Sequence, residues 1–447
     1  MRFLSGVFAL LLPVLALAED GPRVVEVEAR TDGRTREETL IAYSRVDVGD
    51  TFGPDDAARA ERYLVATGLF RDVTVSTSGA GPGQVRVFID VTEKISWVIA
   101  PTFAASSSNV GGGLIYAENN LWGRSKKFIA GAQVTTNESG VFAGYLDPNL
   151  FGWPALRLSL EGQFKSDRVQ EYEGGAEVEE PLVLRTTRVN LGSVATELAI
   201  NWFETFRTAA KYRYTLVHPL SPRQEDPVAV AAQLPRTTQT DATLRFAAGI
   251  DTRQNLGPLL EGLNLEGSYE LSRAGLGSDF EYEKLGVLYR HGIRLFEEQN
   301  LVLRAEAQLG VDLPFYTELT TGGGNLRGFL HRQFRGDTKG SLTAEYHFPL
   351  FRVSPLAVRG VAFSDTALTY FRNIPDDGVR LGLNGELVRR YLPSQREGLS
   401  GGQLTQGVGA GVRLYLSNIV LPLLGVDVAY GVNPGAVRVY VVAGVSP

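Results

Sequence analysis

The stretch Ala155-Leu156-Arg157-Leu158-Ser159-Leu160-Glu161-Gly162-Gln163-Phe164 decides the fold. Its period is two. Leu156, Leu158, Leu160, Gly162 and Phe164 share one face of an extended chain, and Arg157, Ser159, Glu161 and Gln163 share the other. The pattern returns in Leu263 to Leu271, where Asn264, Glu266, Ser268 and Glu270 oppose the apolar set. It returns again in Leu301 to Leu309, with Arg304, Glu306 and Gln308 opposite, and in Gly407 to Ser417 and Val437 to Val445. From about Trp97 onward no helical period survives.

Two architectures use so many half-apolar strands. A soluble sandwich buries the apolar faces between two sheets, whereas a membrane barrel turns them to lipid. Connection lengths separate them. About sixteen strands fit between Ser96 and Val445, an even number as single-chain bacterial barrels have. If the first strand runs outward, every even-to-odd connection is short: Asn119 to Ser125, Asp147 to Trp153, Asn201 to Phe203, Thr252 to Glu261, Phe296 to Asn300, Leu350 to Ser354 and Ser417 to Leu421. The long polar insertions, Ser166 to Pro181, His218 to Thr238, Pro314 to Lys339 and Thr366 to Gln403, all fall on odd-to-even connections. Short inner turns and long outer loops are what a transmembrane barrel requires.

The N-terminus carries an export address. Met1-Arg2, the apolar run Phe3 to Leu17 and the small-x-small triplet Ala16-Leu17-Ala18 read as a signal peptide over residues 1–18. Residues 22–94 then read as a separate α+β module. A strand at Val24 to Val27 and a helix at Thr35 to Tyr43 lead to a second helix, which Gly53-Pro54-Asp55-Asp56 opens with proline at the first helical position. Gly68 stops that helix. Two alternating strands follow, Asp72 to Ser76 and Gln84 to Val91, joined across Ser78 to Gly83.

Composition narrows the function. Cys 0 removes disulfides, thiolate metal sites and cysteine nucleophiles, and four scattered histidines make a histidine metal cluster improbable. A net charge of -6 argues against nucleic acid as a partner. Gly398-Leu399-Ser400-Gly401-Gly402 satisfies the letters of a hydrolase elbow but lacks the strand before and the helix after. Gly407-x-Gly409-x-Gly411 lacks the helix of a dinucleotide site and reads as a strand whose inward positions are kept small. No catalytic residue, metal ligand or cofactor site is expected, and the chain is not read as an enzyme.

The segment Thr320-Thr321-Gly322-Gly323-Gly324-Asn325-Leu326-Arg327-Gly328-Phe329 lies between the eleventh and twelfth strands. It resembles the Gly-Gly…Arg-Gly-Phe signature of the BamA/TamA-type outer-membrane assembly factors and the related two-partner secretion translocators. Other pieces resemble that family in the same order: Gly112-Gly113-Leu114, Asn119-Asn120-Leu121-Trp122-Gly123, Asp147-Pro148-Asn149-Leu150-Phe151-Gly152, Asp251-Thr252-Arg253, and Gly407 to Arg413 followed by Leu424 to Tyr430. Residues 22–94 are similar to a single POTRA domain, down to Thr67-Gly68-Leu69-Phe70, and residues 95–447 to the family's barrel.

The resemblance implies a loop motif, Gly323, Gly324, Leu326, Arg327, Gly328 and Phe329, that folds into the lumen and meets acidic groups on the wall. Alternation in the twelfth strand points Glu345 inward, so Glu345 is the expected first partner. Asp365 resembles the family's aromatic-x-Asp-x-Gly motif with Ala367 in place of the glycine, and is expected second. The resemblance also implies a lateral seam between the first and last strands, marked by Pro101 and Gly444, which suit edges or bulges better than a long ladder. The implied partners are unfolded outer-membrane or exported clients, outer-membrane lipids and periplasmic lipoproteins. Main assembly factors carry more POTRA modules, and two-partner translocators carry two with a plug helix. An accessory or specialised assembly role is therefore expected first, a dedicated translocator second and a structural pore third.

Overall fold

The computed structural model describes residues 21–443 apart from 174, 204, 221–222, 225–236, 257–258, 354–355, 373, 382–386, 392–403 and 417–421. The expected signal segment and Gly444 lie outside the described residues. The chain divides into two compact units, Met1–Ser96 with Asn120–Ser125, and Trp97–Asn119 with Lys126–Pro447.

The first unit contains β1 (Arg23–Thr31), α1 (Glu37–Ser44), α2 (Asp56–Ala66), β2 (Phe70–Gly81) and β3 (Gln84–Glu93). The sheet order is β1-β3-β2, with β1 parallel and β2 antiparallel to β3. Val85, Val87, Ile89 and Val91 are all buried, as alternation required, and pack with Leu40 and Leu64 of the two helices. Pro54 is not the first helical residue. The Asp56 carboxylate accepts the Gly53 amide at 2.6 Å, closing a turn that delays the helix to Asp56.

The second unit is a closed barrel. Its strands are β4 (Trp97–Ala105), β5 (Val110–Leu121), β6 (Lys126–Thr135), β7 (Glu138–Asp147), β8 (Leu156–Tyr172), β9 (Val183–Asn201), β10 (Phe206–Pro219) and β11 (Gln239–Asp251), then β12 (Leu259–Ser272), β13 (Tyr282–Phe296), β14 (Gln299–Val311), β15 (Thr338–Val353), β16 (Leu356–Tyr370), β17 (Thr405–Leu416), β18 (Pro422–Gly431) and β19 (Ala436–Ala443). These are the sixteen strands expected, in antiparallel neighbour order and closed by β19 on β4. Several run further outward than alternation suggested. The insertion expected at Ser166 is still strand as far as Tyr172, paired with β9. Beyond the hydrocarbon both faces meet water, so the ladder continues while the apolar signal stops.

Leu160, Phe164, Val194 and Leu198 on the outward face of β8 and β9 are exposed with no second sheet over them. Aromatic side chains crowd the inner ends: Trp153, Trp202, Phe203, Phe296 and Phe351 are all exposed. An apolar band with an aromatic rim is the surface of a barrel in lipid, where closure satisfies every strand edge. Among the described residues no helix is long and apolar enough to cross a membrane. Leu160→Arg should lower unfolding stability in liposomes by about 2–4 kcal/mol, the cost of a cation near the lipid midplane. Gln163→Arg, on the lumenal face of the same strand, should change it little in the same denaturant titration.

Candidate functional site

The loop between β14 and β15 turns back into the barrel. Two short segments, Leu319–Thr321 and Phe334–Gly336, pair as a ribbon at its base. At its tip Gly328 has φ +99, and a Cβ there would stand 2.6 Å from the Gly431 amide nitrogen of β18. Only glycine permits both the left-handed backbone and that approach. Leu326 and Phe329 are buried together with Ala367.

Arg327 is the centre of the site. Its Nε and Nη2 donate to the two oxygens of Asp365 at 2.7 and 2.9 Å, and its backbone amide donates to the same carboxylate at 3.1 Å. Nη1 reaches Glu345 at 2.9 Å and Asp427 at 3.1 Å. The guanidinium carbon lies 3.4 Å over the Phe363 ring centroid. All four charged groups are buried. A bidentate carboxylate fork with an aromatic face beneath it is geometry that arginine fills and lysine cannot.

The wall supplies its own cations as well. Arg413 Nη1 and Nη2 bind Asp427 at 2.6 and 2.8 Å, while Glu345 meets Arg304 at 3.5 Å and the His347 ring at 3.2 Å. Three arginines therefore face three carboxylates, which balances formal charge without His347. Tyr440 of β19 fastens the loop backbone: its hydroxyl accepts the Gly328 amide at 2.9 Å and donates to the Phe329 carbonyl at 2.9 Å.

The small inward face of β17 makes room for all of this. A Cβ on Gly407 would sit 1.8 Å from the Arg327 carbonyl, one on Gly409 2.5 Å from Phe363, and one on Gly411 1.9 Å from the Asp427 carboxylate. Glu345 and Asp365 were both expected partners, but their order is reversed. Asp365 carries the bidentate contact because β16 places it directly beside the loop backbone, whereas Glu345 shares one guanidinium nitrogen. Sequence reading missed Asp427, Phe363 and Tyr440. Asp427 carried a signal, as an acid on the inward face of an otherwise apolar strand.

A second buried network was also missed. Arg389 Nη2 binds Glu171 of β8 at 2.8 Å, and its Nε binds Glu318 of the loop at 2.7 Å. Arg185 of β9 also binds Glu171, and Arg335 binds Glu318 at 3.0 Å. Below it Leu313, Phe315 and Leu319 pack on Val169, Val189 and Val217 of the wall. The loop thus crosses the outer part of the lumen and is held on both sides. Of the expected seam residues, Pro101 sits in β4 opposite Leu114 of β5. The seam itself joins only Val441 to Ala105, Val442 to Ala104 and Ala443 to Phe103 among the described residues, while β8 and β9 pair from Leu156 to Tyr172.

A closed sixteen-strand barrel with an apolar outer face and an arginine-tethered lumenal loop defines an outer-membrane class of barrel. Residues 120–433 match the Omp85 superfamily domain, and the chain belongs to that superfamily. Among solved structures, BamA from Haemophilus ducreyi lacking POTRA domains 1–3 is similar at 14% identity and a TM-score of 0.63, over 94% of this chain and 84% of that one. CdiB from Escherichia coli is similar at 14% and 0.63, over 95% and 76%. CdiB from Acinetobacter baumannii is similar at 12% and 0.64, over 95% and 74%. No curated protein matches the sequence.

Arg327→Met should cost about 3–5 kcal/mol in denaturant unfolding, because Asp365 is then buried with no cation of its own. Arg327→Met/Asp365→Leu should recover most of that loss. Glu345→Gln should cost less than Asp365→Asn, and the opposite order would contradict the assignment of Asp365 as principal partner.

Proposed function

We propose that this chain is an accessory or specialised factor that inserts client proteins into the outer membrane. In this reading residues 1–18 direct export and the unit built on β1–β3 is a single periplasmic POTRA domain. That unit offers clients the edge of its sheet, and the barrel itself supplies a lateral seam. Its clients are unfolded outer-membrane or exported proteins, with lipids and periplasmic lipoproteins as further partners. Binding and release do the work, with no bond chemistry.

One observation carries the reading. The tethered loop hangs on Tyr440, and the next three residues of β19 form the whole described seam with β4. Opening of this seam would bare a strand edge, and an open edge templates a new strand. Loop position and seam opening are thereby joined through one strand. A dedicated translocator for one exported protein is the second reading, supported by the equal likeness in fold to CdiB.

Depletion followed by outer-membrane proteomics tests these readings. Broad loss of barrel proteins is the expected result; loss of one exported protein would favour the translocator, and an unchanged proteome a structural pore. The chain has no native cysteine, so Ala104→Cys/Val442→Cys, at facing register positions, can lock the seam cleanly. The oxidised variant should lose client insertion and regain it on reduction. Full activity while oxidised would discard seam opening.

A further inference from the structure

Several carboxylates of the lumenal wall pair with cations, while other wall cations have no such partner. Glu161 pairs with Lys211 at 2.6 Å, Glu266 with Arg245 at 2.6 Å, Glu270 with Lys284 at 2.7 Å and Glu306 with Lys339 at 2.5 Å. Lys127, Arg157, Arg213 and Arg290 face the same lumen. Lys127 shares strand parity with Gln133, which bonds Glu138, itself in contact with Arg332 of the lumenal loop. Arg157 shares a face with Glu161, Arg213 with Lys211, and Arg290 with Lys284. Among the described residues none of these four side chains forms an ion pair or hydrogen bond. Arg290 Nε is buried without a partner, and Arg290 stands directly opposite Arg304 in the ladder.

Their placement is directional. Lys127 and Arg157 are each the second residue of a strand that begins at an inner turn. Arg207, at the same level on β10, has only a 3.9 Å contact with Glu197. Arg213 lies roughly 20 Å further along that strand at about 3.3 Å per residue. There it borders a recess of about 190 Å³ with Lys211, Thr243, Arg245 and Glu270. Like charges facing one another across a ladder oppose folding. In a narrow channel with low-dielectric walls, the same surplus focuses a field that draws in anions.

We propose that the lumen binds acidic polypeptide segments, holding client carboxylates along a track from Lys127 and Arg157 at the inner mouth to the Arg213 recess and Arg290. Arginine forks suit carboxylates, and the recess accommodates one acidic side chain but falls below the usual volume of a pocket for a bulky headgroup. This deepens the proposed function and rests on it for the nature of the client. The test uses the full chain in nanodiscs and a labelled, unstructured peptide of about 20 residues bearing regularly spaced glutamates, with its glutamine counterpart as control. At low salt the glutamate peptide should bind at least about tenfold more tightly by fluorescence anisotropy, as expected for a few exposed charge contacts. Lys127→Gln/Arg157→Gln/Arg213→Gln should remove that preference while leaving far-ultraviolet circular dichroism and heat-modifiable mobility intact. If the triple variant misfolds, Arg213→Gln alone should still weaken binding about two- to threefold. Equal binding of the two peptides, or an unchanged preference in a folded variant, would overturn the track. Displacement by tripolyphosphate as effective per charge as unlabelled glutamate peptide would overturn its assignment to polypeptide. Peptide binding with an unchanged proteome on depletion removes the assembly reading alone, and a changed proteome without peptide binding removes the track alone.

Discussion

The structure depends on turning a sheet inside out. Apolar side chains on β8, β9 and their neighbours face outward, so polar side chains must line the interior and the sheet must close to satisfy its edges. A soluble core is filled by hydrophobic packing, but this interior is filled by a loop and by charge. Burying Arg327 with three carboxylates is favourable only because every charge in the group has a partner at hydrogen-bond distance. Arg304 and Arg413 complete that balance from the wall.

The same balance sets what each wall carboxylate keeps apart from the loop. Glu345 and Asp427 keep wall cations when Arg327 is elsewhere, whereas Asp365 does not. Release of the loop therefore uncovers one charge rather than three. Tyr440 links this arrangement to the last strand through two hydrogen bonds to the loop backbone, next to the residues of β19 that pair with β4. The loop is thus fastened to the strand that closes the barrel. The outer network around Arg389 and Glu318 fixes the base of the same loop, so its tip and base are anchored by independent charges.

Much of this was legible from residue order. Period-two alternation and the parity of short and long connections yield the sixteen strands, because in lipid each strand must be amphipathic and one set of turns short. The glycines at Gly407, Gly409 and Gly411 announced a wall kept small, and their neighbours prove to be the Arg327 carbonyl, Phe363 and Asp427. The inward face of Glu345 was legible for the same reason. Strand ends were read too short at Ser166, since the signal vanishes where both faces meet water.

What the chain determined by itself is therefore the barrel and which face of each strand looks inward, both local consequences of side-chain alternation. Tertiary structure alone decided which inward groups meet. Arg327 and Asp427 lie 100 residues apart, and Arg389 and Glu171 lie 218 apart. Barrel tilt and stagger, not sequence spacing, bring such residues to one level. The priority of Asp365 over Glu345, the contacts of Tyr440 and the pairing of β19 with β4 all follow from that stagger, which no single strand encodes.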